Sequence, residues 1–128
     1  MSLMEEFNRR RESGNELISG TDFLPFNRFL ALDTRAYEDG EIPSKYKELM
    51  GLVGSTVLRC NDCILYHLGR SKETGCSKIE IIEALNIALV IGGSIVIPHL
   101  RLAMTAMDEL FKKDNRIYSD FRENSSLV

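Results

Sequence analysis

The apolar positions of this chain recur with helical spacing, and alternating β-branched runs and hairpin turn signals are missing. A short first helix is expected over residues 3–12, ending before Ser13-Gly14. A second follows Thr21-Asp22, with Asp22 as its N-cap; Phe26, Phe29, Leu30, Leu32 and Ala36 form its stripe, and Asp39-Gly40 stops it. Pro43-Ser44 opens a third, reaching about Leu58, with Leu49, Leu52, Val53, Thr56 and Val57 on one face. A fourth covers roughly residues 60–74 before Gly75, a good C-terminal stop. Ser77-Lys78-Ile79-Glu80 is a capping box, and the fifth helix it starts ends at Gly92-Gly93. Residues 84–91 are apolar nearly all round, which predicts burial on every side. The last helix begins between Ser94 and His99 and ends at Lys112-Lys113, cations suited to a helix C-terminus. The pattern therefore predicts an all-α class with five to six helices. It forms one domain over residues 1–128, with a core at about 22–113 and a loosely held tail at 114–128.

With 128 residues, one domain is expected, and 44% hydrophobic residues supply a core without disulfides or metals. Sixteen basic against nineteen acidic residues give a net charge of −3, which argues against a nucleic-acid partner. The polar, charged start lacks the cationic-then-apolar order of a signal peptide. The uncharged stretch 84–100 is interrupted by Asn86, Gly92, Gly93, Ser94, Pro98 and His99, so a membrane span is not expected. Three cysteines are too few for a secreted disulfide scaffold, and a reducing cytoplasm is the expected location.

Chemistry concentrates at Cys60-Asn61-Asp62-Cys63, with His67 four residues further on. Positions three apart on a helix lie about 5 Å apart at Cα, within disulfide range. Cys63 and His67 share a face, and the first turn of a helix favours thiolate over thiol. An imidazole there can take the thiol proton, so two thiols and a base make a reversible dithiol–disulfide couple. Such a couple carries its own electrons and needs no cofactor. The chemical competitor is zinc on Cys60, Cys63 and His67, with Cys76 or His99 as a fourth ligand. The plain alternative is two small structural cysteines. Ile64 after Cys63 excludes a c-type haem attachment.

Other polar residues carry weaker signals. Asp62 reads as a first-turn dipole partner whose charge opposes thiolate formation. Glu48 taken alone reads as a surface dipole partner, and Tyr66 as a packing residue with a wet hydroxyl. Cys76 reads as small and semi-buried, and His99 as capping or packing, with a place facing the dithiol left open. Arg9-Arg10-Arg11 reads as a solvated face, and Gly51-x-x-Gly54 as a site of close helix contact.

One spacing changes the picture. Glu48, eleven intervening residues and then Cys60-x-x-Cys63-x-x-x-His67 resemble the AhpD-like, carboxymuconolactone decarboxylase-like superfamily. Glu83-Ala84-Leu85, Ala88 and the Gly92-Gly93 turn reinforce the likeness, which covers about half the chain. The resemblance implies Cys63 as nucleophile, Cys60 as resolving thiol and Glu48–His67 as proton relay. Asp62 stands where the best-known member has histidine, and the chain contains one copy of the helical core. The implied function is a peroxidase or disulfide reductase of AhpD-like type, acting on a hydroperoxide or a partner's disulfide. A thiol reductant or a peroxiredoxin would be its protein partner, and the family's closed trimers and hexamers imply a homo-oligomer. The alternatives are a decarboxylating lyase using His67 and Glu48, or a non-catalytic zinc-binding or assembly module.

Overall fold

A computed structural model describes residues 1–112. Among them are six α-helices, one short 3-10 turn and no strand, as the periodicity predicts. The expected tail at 114–128 and the end at Lys113 lie outside the described residues.

Helix α1 spans Leu3–Gly20 and is longer than expected, because it runs straight through Ser13-Gly14. Its start is held twice. Ser2 and Glu5 form a reciprocal capping box, and the peptide N–H groups of Leu3 and Met4 donate to the Glu109 carboxylate at 3.0 Å each. Met4 and Phe7 bury on the core. A single glycine in a helix costs about 1 kcal/mol, and these anchors outweigh it.

Helix α2 spans Leu24–Ala36. Asp22 is not its N-cap: it sits at φ +54°, and Phe23 takes the cap position without a side-chain bond. Pro25 in the first turn pre-sets the helical φ instead. No residue of α2 is buried, and Phe26, Phe29 and Leu32 of its expected core stripe face outward.

The core lies among the remaining helices, α3 (Ser44–Val57), α4 (Asn61–Glu73), α5 (Lys78–Gly92) and α6 (Ile97–Leu110). Leu52, Ile64, Leu68, Ile81, Leu85 and Met107 are essentially sealed from solvent at its centre. Helix α3 packs against both α4 and α5, and α4 against α6. The capping box of Ser77 and Glu80 forms as expected, and Gly93 at φ +79° ends α5 in the left-handed region that glycine tolerates. The all-round apolar half of α5 is not buried on every side within the chain. Leu85 and Ala88 are inside, but Ile87, Val90 and Ile91 are exposed.

Candidate active site

Helix α4 presents the cysteines. Arg59 takes a left-handed φ of +61°, and this turn brings the chain back so that the Cys60 N–H bonds to the Ser55 carbonyl at 3.0 Å. Cys60 is then the N-cap residue and accepts from the Ile64 N–H at 2.9 Å, which places Cys63 in the first turn. Both are free thiols, Cys60 half-buried and Cys63 exposed.

Other influences outweigh the helix start at the thiol. Partial burial and a hydrogen bond with Cys60 push the Cys63 thiol up to about 11, and the charges of Asp62 and Asp33 add to this. The negative charge of Asp62 acts in the direction its sequence position predicts. Its side chain is exposed and lies 3.9 Å from Arg10.

His67 lies one turn further along α4 and is buried. Its Nδ1 meets Glu48 Oε2 at 2.8 Å. A carboxylate can only accept, so Nδ1 carries the donated hydrogen, and in the neutral ring Nε2 is the nitrogen with the lone pair. Glu48 is 1% exposed, which corrects its reading as a surface residue. The close approach comes from Gly51: a Cβ there would stand 2.5 Å from His67 Cε1, so only glycine lets the ring lie on α3. Gly54 meets nothing comparable. The second carboxylate oxygen of Glu48 has no hydrogen-bond partner, and the Arg70 Nε stands 3.7 Å from it.

Two tyrosines flank the imidazole. The Tyr66 ring lies edge-on at 5.1 Å between centroids and carries the Arg11 guanidinium 4.3 Å above it. Tyr66 therefore packs as expected, whereas Arg11 is more than a solvated charge. Tyr37, the C-cap residue of α2, brings its hydroxyl to 3.5 Å from His67 Nε2, with ring centroids 5.0 Å apart. Cys63, His67, Tyr66, Asp33, Asp62 and Arg11 all line one cavity of about 400 Å³. A second, polar cleft of about 950 Å³ adjoins it through Arg11 and Tyr66 and reaches Tyr37, Glu48 and Arg70.

Tyr37 and Arg70 did not stand out in the sequence. Arg70 could have been found from its place one turn after His67. Tyr37 lies thirty residues before His67, and only the packing of α2 joins the two.

The remaining candidates are placed elsewhere. Cys76 is buried beyond the C-terminal end of α4, with its sulfur 3.6 Å from the Lys45 carbonyl. A thirteen-residue helix is about 20 Å long, so Cys76 cannot join Cys60 in one coordination sphere. His99 ties the start of α6 to α4 through a 2.7 Å bond from Nδ1 to Asn61 Oδ1 and does not line the thiol cavity. Among the described residues, no three of His, Cys, Asp and Glu converge in a metal-holding set, so the zinc reading is set aside.

Known proteins share this fold. The model of the carboxymuconolactone decarboxylase family matches residues 25–106. Two crystal structures of a Thermotoga maritima protein are 50% and 52% identical to this chain, with TM-scores of 0.82 and 0.80. They cover 87% and 86% of this chain and 97% and 93% of their own. One describes a carboxymuconolactone decarboxylase family protein suggested to take part in an antioxidative response. An apo Legionella pneumophila protein of the same family shares the fold at a TM-score of 0.73 and 23% identity, over 86% of this chain and 97% of its own. An uncharacterized Paracoccus denitrificans protein of the cox locus is 27% identical over 82 residues, 64% of this chain and 74% of its own length. With the family pattern matched over most of the helical core and half the residues shared with the Thermotoga protein, the chain belongs to the carboxymuconolactone decarboxylase family.

Proposed function

We propose that this chain is a thiol-dependent peroxidase or disulfide reductase of the AhpD-like type. One observation carries the reading: of two free thiols at the start of α4, Cys63 lines a cavity together with His67, a buried imidazole paired to the Glu48 carboxylate. The Cys63 thiol is protonated at neutral pH, so a base must take its proton as substrate arrives. His67 Nε2 is the base, and Glu48 holds the imidazolium that forms. The Cys63 thiolate attacks the outer peroxide oxygen and the O–O bond breaks. The leaving alkoxide takes the proton from His67 and departs as an alcohol, while Cys63 becomes a sulfenic acid. The Cys60 thiol then displaces water from that sulfur and closes the disulfide. An external dithiol returns two electrons and two protons through exchange.

The substrate is a hydroperoxide or a partner's disulfide, and the reductant is a thiol compound or a peroxiredoxin-like protein. The electrons reside on sulfur, so the cycle runs without a bound cofactor, nucleic acid or membrane. No helix among the described residues is long and apolar enough to cross a bilayer. A reducing cytoplasm keeps the dithiol charged with electrons, and a homotrimer or hexamer is the working assembly.

Thiol titration and peptide mapping after mild peroxide test the reading. Two thiols should disappear, paired as Cys60–Cys63, with Cys76 left free. Cys63→Ser should abolish peroxide turnover, and Cys60→Ser should still form one sulfenate at Cys63. A disulfide containing Cys76, or a sulfenate at Cys60 in the Cys63→Ser protein, overturns the assignment. Decarboxylation of a lactone acid by a protein lacking both cysteines would put the lyase reading first.

A further inference from the structure

The base has a third partner. Glu48 occupies His67 Nδ1, so Nε2 is the only ring nitrogen free to receive a proton from Cys63. The Tyr37 hydroxyl stands 3.5 Å from Nε2, and its ring lies tilted against the imidazole. We propose that Tyr37 is a positioning residue for the proton relay, holding His67 Nε2 between the Cys63 sulfur and the cleft behind. The inference rests on the Glu48–His67 relay described above and adds a member brought by α2, outside the helices that carry the cysteines.

The chemistry of a phenol suits both states of the ring. While the imidazole is neutral, the Tyr37 O–H stands within reach of the single Nε2 lone pair and turns away before that lone pair takes the thiol proton. When the thiol proton arrives at Nε2, the new N–H donates to the Tyr37 oxygen, with the phenolic hydrogen turned toward the polar cleft. Both nitrogens of the imidazolium are then paired, with Glu48 on one side and Tyr37 on the other. Tyr37 itself gives up no proton. Burial and the nearby Asp33 and Glu48 carboxylates push its hydroxyl above the ordinary phenol range, so it stays neutral.

The charges around this pair come from every packed element. Asp33 approaches from α2, Glu48 from α3, and Asp62 and Cys63 from α4. Arg11 of α1 lies over Tyr66, and Arg70 stands behind Glu48. Arg10 and Arg11 of α1 line the same cavity as Asp33 and Asp62, so the thiol faces charges of both signs. The relay then rests on hydrogen-bond geometry at the imidazole, which the Tyr37 hydroxyl fixes.

Alkylation of Cys63 by iodoacetamide, followed by peptide mass across pH, tests this without any substrate. Tyr37→Phe keeps the ring and removes only the hydroxyl. It should slow alkylation at neutral pH about fivefold, the equivalent of one neutral hydrogen bond, and displace the profile upward. His67→Ala should do more, and the double variant should match His67→Ala alone. The 15N resonance of His67 Nε2 should move in Tyr37→Phe while Nδ1 stays. A shift in His67→Ala with none in Tyr37→Phe, or additive effects in the double variant, overturns the role of Tyr37. No shift in either variant overturns the relay as well. Absence of peroxide turnover in the native protein, with these alkylation effects intact, would refute the peroxidase reading alone.

Discussion

At the scale of residues, the site is a set of opposing influences on one sulfur. The first turn of α4 favours an anion, but partial burial, the Cys60 thiol and the charges of Asp62 and Asp33 hold Cys63 near 11. In the proposed cycle, a thiol held protonated in this way resists adventitious oxidation until His67 removes its proton. Asp62→Asn deletes one of these charges and should speed alkylation of Cys63 at pH 8 about twofold, the scale of an exposed charge pair. An unchanged rate would mean that burial and Cys60 alone set the thiol. The same shift acts on folding. An unfolded thiol ionises near 9.0 and the folded one near 11, so between those values unfolding releases a proton. The contribution is fully present below pH 9 and is lost as pH rises through 11. Denaturant titrations at pH 8 and pH 10.5 should show the loss, and Cys63→Ser should reduce it.

At the scale of elements, the sequence was most legible where a local rule decides. The Ser77–Glu80 box, the glycine stops at Gly75 and Gly93, and the start of α3 at Ser44 all lie where their residue types place them. Local rules failed where distant contacts win. Ser13-Gly14 reads as a stop, yet α1 runs through it, with its first turn capped by Glu109, 105 residues on from Met4. Glu48 was legible only through its spacing to Cys60, since a buried carboxylate looks like a surface one until its partner is known. Tyr37 had no local signal, because the packing of α2 alone brings it to His67. The Glu109 anchor is itself testable. Burial pulls its carboxyl upward, but the N–H groups of Met4 and Leu3 outweigh this and hold it below the usual range. Its contribution is present above the unfolded value of about 4.5 and fades as pH falls through the lower folded value. Glu109→Ala should destabilise α1 by about 1 kcal/mol, as loss of a helix cap does. Amide exchange in α1 should quicken while α4 keeps its protection; equal protection of α1 in both proteins would show that its apolar contacts suffice.

At the scale of the whole molecule, the most telling feature is apolar surface without cover. Phe29 and Leu32 on α2 are 68% and 66% exposed, and Val90 and Ile91 on α5 are 74% and 64%. Patches of this kind on a lone chain favour association. The all-round apolar half of α5 needs neighbours on two sides, and the fold supplies them on one. We propose that further copies of the chain cover both faces, with closed symmetry limiting growth to a small ring. Because α2 contributes no buried residue to its own chain, a charge on its outer face should spare the fold and strike the assembly. Phe29→Asp should leave the helical circular dichroism intact while light scattering at micromolar concentration shifts from a trimer or hexamer toward 14.5 kDa. A native protein that already scatters as a single chain would refute the assembly outright. The two scales meet at Tyr37, which caps the C-terminal end of α2 and touches His67. If neighbouring copies hold α2 in place, Phe29→Asp should also slow alkylation of Cys63, and adding Tyr37→Phe should slow it no further. Dissociation with an unaltered alkylation profile would show that α2 is held by its own chain, and that assembly and relay are independent.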